Sequence, residues 1–265
     1  MTISSTASAF FKLQGDNFYI GNDPARGPWA ADACHAGPVT GVIARALELS
    51  VTDKQLMRLS VEILRPVPIA GFSIETSITK QGRMVTTATA VITDATGKLI
   101  ATASSLHMVV QDLGGLPTIE STMSPLSSAE PGEFPIKFTA HGLPSFSSGI
   151  EVLYPPGEDN SAGPTSLWMR TLPLVEGETP TPFQRLCPLA DCGNGISRNS
   201  ELSDVSFINP DITIVMHRAP EGQWLATQSK SHWQATGLGL SEATLFDQKG
   251  AVASAMQTLL LRKVS

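Results

Sequence analysis

Apolar and polar residues alternate in four successive runs in the first half of the chain, at 57–64, 71–79, 84–93 and 99–109. Four more follow in the second half, at 211–217, 224–231, 239–246 and 251–261. Val, Ile and Thr are abundant in them, as a pleated, half-buried surface prefers. A helical stripe precedes each set. Val39, Val42, Ile43, Ala46 and Leu47 recur at i, i+3, i+4, i+7 and i+8 behind Gly37-Pro38, and Pro38 suits a first helical position. Phe183, Leu186, Cys187 and Ala190 recur at i, i+3, i+4 and i+7 behind Thr181-Pro182, an N-cap and first-turn pair. Pro188 should kink or shorten this second helix, and Gly193-Asn194-Gly195 should end it. A short hairpin around Gly15-Asp16 is expected over 10–20, and a strand over 166–172.

The two halves read as one unit written twice. An ungapped offset that sets Arg65 on Arg218 also sets Gln81 on Gln234, Ala90 on Ala243, Asp94 on Asp247, Gly97 on Gly250 and Leu106 on Leu259. Asp94-Ala95-Thr96-Gly97 and Asp247-Gln248-Lys249-Gly250 are both turn signals between long alternating runs. Residues 111–165 break the rhythm with many prolines, serines and glycines and read as a connector, with one strand near 146–153. The expected organisation is an N-terminal unit over 1–112, a linker over 113–145 and a C-terminal unit over 146–265. The class is α+β, with two antiparallel sheets each wrapping one long central helix.

Composition narrows the function classes. A formal net charge of -6 argues against nucleic acid as the main partner. Three cysteines are an odd number, so a reducing compartment fits better than a disulfide framework. Cys187 and Cys192 lack nearby histidines for a zinc site. No apolar run approaches the ~20 residues of a membrane span. The start lacks a basic stretch followed by an apolar block, and Arg262-Lys263-Val264-Ser265 is not a peroxisomal signal, so a cytoplasmic protein is expected. No Gly-x-Ser-x-Gly, His-Glu-x-x-His, phosphate-binding or dinucleotide-binding glycine motif occurs, and the expected chemistry needs no cofactor.

Gly27-Pro28-Trp29 and Cys34-His35-Ala36-Gly37-Pro38 stand before the first helix. Ala190-Asp191-Cys192-Gly193-Asn194-Gly195 closes the second. Then come Phe207-Ile208-Asn209-Pro210-Asp211-Ile212-Thr213 running to His217-Arg218, Gly222-Gln223-Trp224-Leu225, and Asp247-Gln248-Lys249-Gly250 running to Gln257. In order and spacing these resemble the acyl-CoA thioesterase II family, over almost the whole chain except 111–145. That resemblance implies a double hotdog fold and an Asp, a Ser or Thr, and a Gln that together orient a water. Asp191 matches the Asp and Gln257 the Gln. The hydroxyl position falls on Asn209, a departure, and a shift of a few residues would offer Ser206 or Thr213 instead.

The residues also have plainer readings. Asp191 could bond backbone N–H groups at a helix end, and Asn209 and Asn194 could be turn residues. Gln257 lies in an apolar strand, where a buried amide must find partners. His35 could cap a helix. As an enzyme, the protein would hydrolyse an acyl-CoA to free acid and CoA. Asp191 would be the base, Gln257 and Asn209 would place the water, and backbone N–H groups near Gly37 would meet the thioester oxygen. Substrate contacts are expected from His35, Gly37, Asn194 and Ser231, the last on a strand bordering the acyl tunnel. No metal or membrane partner is expected, and a homodimer or homotetramer is. Two alternatives stay open: a double hotdog that binds acyl-CoA or lipid without chemistry, and an enoyl-CoA hydratase using Asp32 and His35.

Overall fold

Both helical stripes become helices, and each packs its apolar face on the strands of its own half. The computed structural model describes residues 3–136 and 141–264. The first half runs through β1 (Phe11–Gln14), β2 (Phe18–Gly21), α1 (Ala36–Ser50), β3 (Gln55–Ile63), β4 (Phe72–Gln81), β5 (Val85–Asp94) and β6 (Leu99–Met108). The second runs through β7 (Glu130–Pro131), β8 (Ile150–Tyr154), β9 (Thr165–Thr171), α2 (Pro182–Ala190), α3 (Gly193–Ile196), β10 (Val205–Ile208), β11 (Asp211–Met216), β12 (Leu225–Trp233), β13 (Leu238–Asp247) and β14 (Gly250–Lys263). Val39, Val42, Ile43 and Leu47 of α1 are buried against β3, β4 and β5. Phe183, Leu186 and Leu189 of α2 are buried on the side of β9, β11, β12 and β13. No helix among the described residues is long and apolar enough to cross a membrane.

The strands form one continuous sheet rather than the expected two. Its order is β1-β2-β4-β5-β6-β3-β11-β14-β13-β12-β9-β8-β7, with β10 also on β14. The physical reason is that β3 and β11 would each be an open edge, and pairing them satisfies both rows of backbone groups. At this seam Ser60 stands opposite Thr213, and the two hydroxyls bond at 3.0 Å. They lie 153 residues apart, the offset that relates the two halves. Where two equivalent strands pair antiparallel, only the pair on the axis of exchange can be each other's equivalents. The seam therefore carries the approximate two-fold of a duplicated unit, and β5 and β13 begin and end at positions related by the same offset.

Two expectations about the second helix change. It is not a long central helix: α2 has 9 residues against 15 in α1, and Pro188 lies in its last turn, where it offers no N–H to the Gln184 carbonyl. Gly193-Asn194-Gly195 does not end it as a turn but starts the further helical turn α3. Neither glycine has a positive φ. A Cβ on Gly193 would lie 2.8 Å from Ser241 Oγ, and one on Gly195 would lie 2.7 Å from Ile136 Cδ1. These glycines serve close packing rather than chain reversal. The connector is also more than a spacer, because Phe134 and Ile136 are buried in the main core. The strand expected over 146–153 starts later, after a single helical turn over 146–149.

Candidate active site

Asp191 caps the C-terminus of α2, and its side chain is 4% exposed. Three neighbours hold it. Asn209, in the turn between β10 and β11, donates its amide to Oδ1 at 2.9 Å. Gln257, in the middle of β14, donates to the same oxygen at 3.0 Å and to the Asp191 carbonyl at 3.1 Å. His35 brings Nδ1 to 3.1 Å from Oδ2. The carboxylate is therefore fixed by the N-terminus of one helix, the end of another and two places on the sheet. Buried polar groups need such partners.

His35 is the N-cap of α1, and its ring stacks on Phe146 at 4.0 Å between centroids. Its Nδ1 also lies 3.1 Å from the Gly37 N–H. A bare Nδ1 accepts from Gly37 and has no proton for Asp191. A protonated Nδ1 donates to Asp191 and leaves Gly37 without its acceptor. Which contact is made depends on whether Nδ1 carries a hydrogen. The helices meet closely here: a Cβ on Gly37 would lie 2.9 Å from the Pro188 carbonyl and 3.2 Å from Asp191 Cβ.

A cavity of about 430 Å³ opens beside this cluster. Trp29, Ile63, Phe134, Ile136 and Phe207 give it apolar walls, while His35, Asp191 and Asn209 bring the polar groups together. Such a space, largely apolar with a few convergent polar groups, suits a small-molecule site. Cys34 and Cys192 also line it. Burial pushes Cys34 up to about 12, against a weaker pull from Arg26. Burial, followed by the Asp191 charge, pushes Cys192 well above the ordinary thiol value. Both are neutral thiols and poor nucleophiles. The Ala36 N–H, which the first helical turn cannot use, has no acceptor among the described residues, and Ala36 lines the cavity.

The structure thus brings Asp191, Gln257, Asn209 and His35 together. Gln257 stands behind Asp191 and is not part of the cavity wall. The Gly37 N–H lies 3.1 Å from His35 Nδ1, the same atom that faces Asp191 Oδ2. Asn194 and Ser231 meet each other instead of the cavity: Asn194 Oδ1 accepts from Ser231 Oγ at 2.9 Å and from Trp233 Nε1 at 3.0 Å. Ser206 bonds the Arg262 carbonyl and Thr213 bonds Ser60, so neither hydroxyl replaces Asn209. His35 pairs with Asp191 while Asp32 is exposed, so the Asp32/His35 pair of a hydratase is not formed. Sequence reasoning missed Phe134, Ile136, Phe146 and Arg65. The available signal for the first two was an apolar pair inside a proline-rich connector. Behind Asp191, Ser241 faces Gln257 across β13 and β14. Ser241 Oγ and Gln257 Oε1 are buried without partners among the described residues.

Likeness to known proteins runs along nearly the whole chain. A protein from Novosphingobium aromaticivorans described as a thioesterase superposes with a TM-score of 0.77 at 20% identity, covering 97% of this chain and 100% of that one. An acyl-CoA thioesterase II from Mycobacterium marinum gives 0.64 at 19% identity, over 96% and 94% of the two chains. A hot dog fold protein from Alicyclobacillus acidocaldarius gives 0.70 at 15% identity, over 95% of each. These establish the fold as hotdog. Among curated proteins none matches the chain. The acyl-CoA thioesterase N-terminal domain matches residues 25–108, and the acyl-CoA thioesterase C-terminal domain matches residues 123–261. The chain belongs to the acyl-CoA thioesterase family.

Proposed function

We propose that the protein hydrolyses an acyl-CoA to the free acid and CoA, with Asp191 as general base. The observation that carries this reading is a buried carboxylate, held on three sides, at the wall of an apolar cavity. A thioester is already activated, so water attacks it without a covalent enzyme intermediate. Asp191 takes one proton from the water as the new C–O bond forms. The C–S bond then breaks, and that proton passes to the departing thiolate. Gln257 and Asn209 act by orienting Asp191, because both of their amide groups point at Oδ1. The N–H groups at the start of α1 stabilise the oxyanion: that of Ala36, and that of Gly37 when His35 Nδ1 donates to Asp191. The acyl group occupies the apolar part of the cavity.

The test is release of free thiol from a panel of acyl-CoAs, short to long, straight and aromatic. At least one ester should be cleaved, and hydrolysis in ¹⁸O-water should place the label in the acid. No release from any ester, with CoA esters still binding, would replace hydrolysis by the reading of an acyl-CoA-binding protein.

A further inference from the structure

Duplication gave the two halves equivalent arginines, and the structure treats them differently. Arg218 is locked: its two Nη atoms meet the two oxygens of buried Asp247 at 2.7 Å each, and Nη2 also reaches the Gly250 carbonyl at 3.1 Å. Arg65 has no such lock. Its Nε donates to the Leu99 carbonyl at 3.2 Å, and its Nη groups have no partner among the described residues. Asp94, the counterpart of Asp247, accepts instead from the Thr96 N–H and hydroxyl and from the Lys98 N–H of its own turn. Arg65 is exposed and lines the 430 Å³ cavity that holds Asp191. Among the described titratable side chains along that cavity, it alone is a permanent cation.

We propose that Arg65 binds a phosphate on the thiol carrier of the substrate, so that one cation at the cavity anchors the carrier while the acyl group lies on the apolar walls. This rests on the reading of the cavity as a thioester site. The protein carries a net charge of -6, which repels a polyanionic ester. Local positive charge is needed where such an ester docks. A guanidinium with both Nη groups free presents a fork that matches two phosphate oxygens. The carrier supplies phosphate from two sources: the single phosphate at the end of a phosphopantetheine arm, and the further phosphates of the CoA nucleotide.

The test compares one acyl group on CoA, on phosphopantetheine and on pantetheine, in wild type and Arg65→Gln. A charge-assisted phosphate contact should give the phosphorylated esters a KM about tenfold below that of the pantetheine ester. Arg65→Gln should abolish that preference. A preference shared by both phosphorylated esters assigns the contact to the arm phosphate, and one confined to CoA assigns it to the nucleotide end. A preference that survives in Arg65→Gln overturns the proposal. Calorimetry with free CoA and with pantetheine separates this from the hydrolase reading. CoA binding about tenfold weaker in Arg65→Gln supports the anchor even if no ester is cleaved. Equal CoA affinity in the two proteins, or no CoA binding, overturns it.

Discussion

Two carboxylates stand at opposite ends of the α1–α2 helix pair, and they do different work. Glu48, near the end of α1, faces the N-terminus of α2. Thr181 Oγ1 lies 3.0 and 2.8 Å from its two oxygens, and Gln184 Nε2 donates to one of them at 2.6 Å. Thr181 and Gln184 are themselves the capping box of α2, so this carboxylate ties one helix to the start of the other. Asp191, at the end of α2, faces the start of α1, where His35 is the N-cap. Here the carboxylate is held from the sheet side by Asn209 and Gln257 and borders a cavity. One arrangement, a carboxylate opposite a helix N-terminus, thus occurs twice in a duplicated fold. It is a staple where the helix start answers it with its own side chains. It becomes a candidate active site where the helix start supplies only His35, the other partners are Asn209 and Gln257, and one side faces the cavity.

The largest separation between the two ends is expected in turnover. Asp191→Asn should lower kcat by about 10²- to 10⁴-fold, the usual worth of a general base, whereas Glu48→Gln should leave it within about twofold. Gln257→Ala tests whether orientation of the Asp191 carboxylate matters. It should lower kcat by about tenfold to a hundredfold with little change in CoA-ester affinity, measured by thiol release and calorimetry. Gly193→Ala places a Cβ 2.8 Å from Ser241 Oγ and 3.3 Å from Gln257 Oε1. Crowding there should cost about 1–3 kcal/mol in chemical denaturation and lower turnover through the displaced Gln257.

The smallest effect belongs to the staple. Burial raises the Glu48 carboxyl above its ordinary value, and the hydrogen bonds from Gln184 and Thr181 offset this only in part. The folded state therefore holds this proton more tightly than the unfolded state. The stability it contributes is present below the unfolded value and lost as pH rises through the folded one. Melting curves across that range should show Glu48→Gln gaining on wild type as pH increases. A constant gap would contradict the assignment.

The eight strand runs and α1 were legible because their periodicity is local and strong. The same holds for the N-cap of α2, which Thr181-Pro182 announced, although the capping box with Gln184 was not read. Pro188 correctly signalled a short helix. The glycines at 193 and 195 misled, because their reason is distance to Ser241 and Ile136, which no local pattern records. The pairing of His35 with Asp191 joins the two halves, and the offset of the duplication does not contain it. Asp191, Gln257 and Asn209 could be named from the family resemblance and do converge. Asn194 and Ser231 came from the same resemblance and from a strand assigned to the tunnel. Ser231 instead donates to Asn194, as Trp233 does, because α3 turns that face toward β12. Phe134 and Ile136 were hidden in a connector dominated by prolines, serines and glycines.

The most direct test of the contrast between the two helix ends is kcat for Asp191→Asn and Glu48→Gln on one acyl-CoA that the wild type cleaves, with ester binding checked by calorimetry. The account predicts retained binding in both, a loss of about 10²-fold or more in Asp191→Asn, and near wild-type turnover in Glu48→Gln. Equal turnover in the two variants, or full activity in Asp191→Asn, would contradict it.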